Sequence, residues 1–149
     1  MQHIFKGRVI LSGKTSGKAL VTHSGFNTLA CFYKAMVSGA KIAVCSHQDN
    51  DELYGKTLTD KIICLPKTVG STSAGATWDR VASSGLAPKA MLFSEHIDYL
   101  TAAGLAVADI WTHKRIFAID QLGDEFLQAV KDGQQVEIKE DGKVIVYED

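Results

Sequence analysis

The stretch KIICLPKTVGSTSAGATWDRVASSGLAP, residues 61–88, changes its periodicity half-way along. Ile62 to Leu65 is apolar on successive residues, a pattern a strand shows when both of its faces are covered. Pro66 ends that run. From Thr72 to Ser84 the apolar side chains Ala74, Trp78, Val81 and Ala82 fall at helical spacing, Gly85 supplies a C-terminal stop, and Pro88 lies just beyond. Between strand and helix stand Val69, Gly70, Ser71, Thr72 and Ser73. A buried strand thus hands over to a helix through a glycine and three hydroxyls, with no charge among them.

Working outward, His3 to Leu11 and Lys18 to His23 alternate polar and apolar residues on either side of Ser-Gly-Lys-Thr-Ser-Gly, which predicts a hairpin. Residues 24–39 hold Gly25 and Gly39 and read as a loop with one helical turn around Leu29 to Val37. Ala40 to Cys45 reads as a short strand, and His47 to Tyr54 as a polar loop. Downstream, Ala90 to Phe93 is a second buried strand, His96 to Ala103 a short helix, Leu105 to Ile110 a strand set off by Gly104, and Arg115 to Ile119 another strand. The tail reads as a helix through Val130 and a hairpin turning at Asp141-Gly142. Strands outnumber helices, with hairpins at both ends and helical crossovers between. The expectation is the α/β class: one β/β/α domain over residues 1–149 with a mixed sheet.

A chain of 149 residues buries roughly 68–70% of the surface its unfolded form exposes, so it needs no metal or disulfide staples. A formal net charge of −1 with interspersed signs gives no electrostatic reason to expect nucleic acid or an anionic membrane as partner. Cys31, Cys45 and Cys64 are too widely spaced for a CxxC motif or a disulfide framework, which suits a reducing, cytoplasmic setting. No stretch approaches the ~18 apolar residues of a membrane span or resembles a signal sequence.

The Gly70-Ser71 step at a strand end and a helix start leaves backbone N–H groups unpaired and pointing at one spot, where an anion is favoured. Ser71 or Thr72 acting only as a helix cap, worth about 1 kcal/mol, accounts for the same pattern. A serine base is a larger demand. A helix terminus contributes at most ~2 kcal/mol and one pKa unit is about 1.4 kcal/mol, so cations from elsewhere must help. Locally these are Lys67 and Arg80. Residues 12–20, SGKTSGKAL, miss the P-loop spacing and precede a strand rather than a helix. The five histidines form no HxxxH or HxH pair. Asp49 to Glu52 lacks the glycine and distal glutamate of a calcium loop. Ser71 with His96 and Asp98 lacks a nucleophile elbow.

In order along the chain, Gly7-Arg8-Val9-Ile10, Leu53-Tyr54-Gly55-Lys56, Pro66 followed by Gly70-Ser71, Ala87-Pro88-Lys89-Ala90, and the apolar run Ile97 to Ala108 containing Gly104 resemble the small, or swivel, subunit of the aconitase X-type dehydratases, nearly end to end. The resemblance implies a swivelling β/β/α fold and a hydro-lyase that removes water from a small hydroxy acid. By position it implies Ser71 as the base, with Gly70, Thr72 and Ser73 receiving the substrate's carboxylate or the developing charge. The resemblance also implies that the loop carrying Ser24, Phe26 and Asn27 closes over the substrate. It further implies a large-subunit partner that carries an iron–sulfur cluster, this chain itself binding no metal or cofactor. The chain departs from the family pattern at Val69, in the Ser24 to Leu29 loop, and at His96-Ile97-Asp98 and Ile110-Trp111. Val69 stands where many members carry a basic residue, which tilts the expectation from mevalonate 5-phosphate, the alternative, towards cis-3-hydroxy-L-proline. The loop reads Ser24-Gly25-Phe26-Asn27-Thr28-Leu29 where members commonly show Ser-Phe-x-Gly-Gly-x-Asp. A non-catalytic module that binds an anion or a partner on the same fold is the remaining alternative.

Overall fold

The computed structural model describes residues 1–70 and 74–148. Its strands are β1 (Gln2–Lys6), β2 (Arg8–Leu11), β3 (Thr15–Val21), β4 (Phe26–Asn27), β5 (Ile62–Leu65), β6 (Thr68–Val69), β7 (Ala90–Phe93), β8 (Phe117–Asp120), β9 (Gln135–Ile138) and β10 (Lys143–Tyr147). Its helices are α1 (Thr28–Ser38), α2 (Ala74–Ser83), α3 (Tyr99–Thr112) and α4 (Asp124–Ala129). Eight strands form one mixed sheet in the order β1-β10-β9-β3-β5-β7-β8-β2, and β4 pairs with β6. Strands β3, β5, β7 and β8 run parallel, and antiparallel strands flank them on both sides.

β1 and β2 occupy opposite ends of this order yet are separated by Gly7 alone. The sheet must therefore curl until its edges meet. Gly7 N–H donates to the Gly142 carbonyl at 3.1 Å, and a Cβ on Gly7 would stand 2.4 Å from the Asp120 carbonyl oxygen. Only glycine fits that corner.

The curl gives the sheet two covered faces, and side-chain alternation assigns residues to them. Ile63, Leu65, Met91 and Phe93 join the helices α1, α2 and α3, whereas Ile62, Cys64, Ala90 and Leu92 face the opposite core with Phe126 of α4. All four residues of β5 and of β7 are buried, as their unbroken apolar runs predict. On the helical side Trp78 stacks on Phe26 at 6.5 Å and meets Phe32 edge-on at 5.8 Å. Each of these buried side chains contributes about 1.5–3 kcal/mol of hydrophobic stabilisation.

The C-terminal hairpin is present, β9 pairing with β10 around Gly142, and α2 and α4 lie where the spacing predicts them. The expected start of α2 at Thr72 falls outside the described residues. The N-terminal hairpin does not form: β1 pairs with β10, β2 with β8, and β3 with β9 and β5. Alternation marks a strand without naming its neighbour, and Thr15, Ser16 and Gly17, expected in a turn, already belong to β3.

Residues 28–38 make a full helix rather than one turn, because Asn27 Oδ1 accepts the Ala30 N–H and Gly39 closes the other end at φ +68°. Ala40 to Cys45 forms only a bridge between Val44 and Thr57. The break predicted at Gly104 is absent too. α3 runs through it unbroken, since Gly104 is where α3 crosses α2: a Cβ there would lie 2.5 Å from the Gly75 carbonyl oxygen and 2.8 Å from its Cα. Among the described residues no helix is long and apolar enough to cross a membrane.

Candidate active site

Loops leaving the C-terminal ends of parallel strands are where α/β sheets bind ligands. Here these ends lead into Thr22 to Gly25 after β3, Pro66 and Lys67 after β5, Ser94 to Asp98 after β7, and Asp120 closing β8. The small β4·β6 pair joins the first two loops, with Phe26 opposite Thr68 and Asn27 opposite Val69. It brings Asn27 against Gly70: the Asn27 side chain comes within 3.0 Å of where a Cβ on Gly70 would stand. Gly70 also holds φ +116°, so glycine is demanded twice over. Gly25 is similarly required, because its Cβ would lie 2.5 Å from the Val69 side chain.

Ser24 is exposed on this rim. Its N–H donates to Thr22 Oγ1 at 3.2 Å. Phe26 is fully buried in the aromatic cluster with Trp78 and Phe32, so its side chain packs the core and does not reach a substrate. Ser71, Thr72 and Ser73 lie outside the described residues. Of the two local cations, Lys67 is exposed after β5 and Arg80 lies in the last turn of α2.

Two carboxylates organise the rim, and a third flanks it. Asp98 caps α3, accepting the Thr101 N–H at 3.0 Å and the Thr68 hydroxyl, which in turn accepts from Thr101 Oγ1 at 2.7 Å. Burial pushes the Asp98 carboxyl up, but these hydroxyl and amide donors outweigh it and hold it below the usual range. Thr68 is thereby fixed two residues before Gly70. Asp120, wholly buried, receives Arg8 Nε at 3.0 Å, Arg8 Nη2 at 2.8 Å and the Ile97 N–H at 2.8 Å. Burial raises its pKa, yet the Arg8 guanidinium and the Ile97 amide prevail and lower it. On the far side Glu52 receives the His23 N–H at 2.6 Å and Thr22 Oγ1 at 3.1 Å, and it meets His23 Nδ1 at 2.6 Å.

His96 and Asp98 share no hydrogen bond among those described. Asp98 is occupied by Thr68 and Thr101, and His96 Nδ1 turns to the Ile97 carbonyl at 2.7 Å. A Ser–His–Asp relay is therefore not assembled. Cys31 and Cys45 sit in the helical core and Cys64 in the opposite one, all buried. Their three thiols do not converge on one cluster, and among the described residues no three His, Cys, Asp or Glu side chains group as a metal site. The sequence reading missed Arg8 and Asp120 as site-building residues. The available signal was a lone aspartate at the end of the apolar run Phe117-Ala118-Ile119.

The model of the aconitase X swivel domain family matches residues 4–147. The chain belongs to that family. Among solved structures the aconitase X of Thermococcus kodakaraensis in its holo form superposes with a TM-score of 0.81 at 22% identity, covering 98% of this chain and 99% of the other. That likeness is one of fold, and it matches the expected swivelling β/β/α arrangement. Two curated relatives are each named phosphomevalonate dehydratase small subunit. The protein from Archaeoglobus fulgidus is 26% identical over 137 residues, 92% of each chain. The protein from Thermococcus sibiricus is 28% identical over 144 residues, 96% of this chain and 98% of its own.

Proposed function

We propose that this chain, a single domain over residues 1–149, is the cytoplasmic small subunit of a two-chain aconitase X-type hydro-lyase. In this reading it brings Ser71 to a small hydroxy acid held mainly by a large subunit. The observation that carries it is the family match over residues 4–147; Gly70, which precedes Ser71 in the chain, follows β6 on the rim built by the parallel strands. Ser71 abstracts the proton beside the substrate's carboxylate, and the amides from Gly70 to Ser73 receive the carboxylate or the charge that develops. Lowering a serine pKa far enough exceeds what one helix terminus supplies, at ~2 kcal/mol. The additional positive charge therefore comes from the partner. An iron–sulfur cluster in the large subunit supplies Lewis-acid chemistry at the departing hydroxyl. The separation of Cys64 from Cys31 and Cys45 supports assigning the cluster to that subunit.

The names of the relatives favour a phosphorylated hydroxy acid, mevalonate 5-phosphate, as substrate. One observation keeps cis-3-hydroxy-L-proline as a second reading: the residue beside Gly70 is the half-exposed, uncharged Val69. Purifying the chain alone and together with its large chain, and offering both compounds to each, tests the proposal. No turnover by the chain alone and dehydration of one compound by the pair is expected. A pair that binds either compound without converting it is the result of a non-catalytic module and overturns the enzymatic reading.

A further inference from the structure

Arg8 is held in a way that leaves part of it unused. Its Nε and Nη2 edge is taken by Asp120 at 3.0 and 2.8 Å. Asp120 is itself 0% exposed and also bonded to the Ile97 N–H, so the fork is anchored to the core of the sheet. The second N–H of Nη2 reaches His96 Nε2 at 3.3 Å. That nitrogen accepts, because Nδ1 of the same ring faces the Ile97 carbonyl at 2.7 Å and a carbonyl can only accept. Nη1, with two N–H groups, meets no partner among the described residues.

The Arg8 side chain is 48% exposed, and it lines a cleft of about 400 Å³ with Val9, Ile10, His96, Ile97 and Tyr99. That is room for a small acid or a phosphoryl group. Arg115, the other arginine paired to an aspartate, differs: its Nη1 already donates to the Ser12 carbonyl at 3.0 Å and its Nη2 to Asp109 at 2.8 Å.

We propose that Arg8 is an anion-binding residue, presenting Nη1 to a carboxylate or phosphate group from a position fixed by Asp120. Asp120 is buried while Arg8 is half-exposed, so the pair fixes the orientation of a guanidinium that still reaches the surface. The planar fork itself is spent on Asp120, so what is left for an oxyanion is the permanent charge and the two N–H groups of Nη1. The cleft neighbours the candidate active site through the loop that follows β7. Ile97 leads to Asp98, whose carboxylate holds Thr68, two residues before Gly70. The inference rests on the dehydratase reading only for its conclusion that the bound anion is one end of that enzyme's substrate.

The test is titration of the isotopically labelled full chain with inorganic phosphate and, separately, acetate, following the side-chain Nε–H of Arg8 and Arg115 and the His96 ring by NMR. Saturable shifts are expected at Arg8 and His96 while Arg115 stays still, and the tighter of the two anions tells phosphate from carboxylate recognition. The double variant R8Q/D120N removes the guanidinium without stranding a buried carboxylate, and should lose more than tenfold in affinity with its amide spectrum otherwise kept. Arg8 signals that move no further than those of Arg115, or a folded double variant that binds as tightly, overturn the site. An assembly that dehydrates nothing while Arg8 still responds refutes the dehydratase reading and leaves the anion site standing. An active assembly with a silent Arg8 does the reverse.

Discussion

Replacing Gly104 by alanine probes how the fold positions the start of α2, which follows the proposed base in the chain. In an ordinary helix interior that change gains up to ~1 kcal/mol of propensity. Here the new methyl would lie 2.5 Å from the Gly75 carbonyl oxygen and 2.8 Å from its Cα, both backbone atoms that cannot rotate away. The two helices must part by roughly 1 Å to restore an ordinary contact, and overpacking of this kind costs about 1–3 kcal/mol. The net stability loss is therefore at most ~2 kcal/mol, a fall in Tm of a few degrees at roughly 2–4 °C per kcal/mol. The larger effect falls on activity. Gly75 lies in the first turn of α2, directly after the serine loop, and a misplacement near 1 Å can cost on the order of 100-fold in turnover. Thermal unfolding of the variant chain and kcat of the assembled variant measure the two effects separately. A variant that keeps both Tm and kcat would refute the claim that the close crossing at Gly104 and Gly75 holds α2 in place.

Phe26→Ala should cost about 3–5 kcal/mol, as for other buried phenylalanines, whereas Ser24→Ala on the same loop should stay within ~0.5 kcal/mol; chemical denaturation of the two variants makes the comparison. Asp120 has a folded pKa below its unfolded value of 3.8, so its contribution to stability is present above that pH and is lost as the pH falls through the folded value. Asp120→Asn should accordingly flatten the acid limb of a Tm-against-pH curve while lowering Tm at neutral pH. Val69→Arg should lower KM for mevalonate 5-phosphate by roughly fivefold, since an exposed charge pair is worth up to ~1 kcal/mol, and should leave KM for cis-3-hydroxy-L-proline unchanged. An equal effect on both compounds would remove Val69 as a determinant of substrate choice.

Where a single local signal decides the conformation, the chain could be read directly. The unbroken apolar runs of β5 and β7, the spacing of Trp78, Val81 and Ala82, and the Asp141-Gly142 turn each specify their element without outside help. What failed depends on partners distant in sequence. Gly104 looks like a helix breaker until Gly75 is found against it, and the pairing of β1 and β2 with opposite edges of the sheet follows from the curl at Gly7, which no local pattern encodes. The same holds for the candidate site. Gly70 and Asn27 meet because β4 and β6 pair across more than forty residues, and Phe26, which looked available to a substrate, is claimed by Trp78 and Phe32. Arg8 and Asp120 lie 112 positions apart, so neither announces the other.

The most direct measurement is the turnover of the assembled enzyme carrying Ser71→Ala, with co-purification of the two chains verifying that the assembly is intact. Removing a general base costs about 10²–10⁴-fold, so kcat should fall by at least two orders of magnitude while both chains still elute together. A complex that dehydrates its substrate within twofold of the unaltered rate would contradict the assignment of Ser71 as the base.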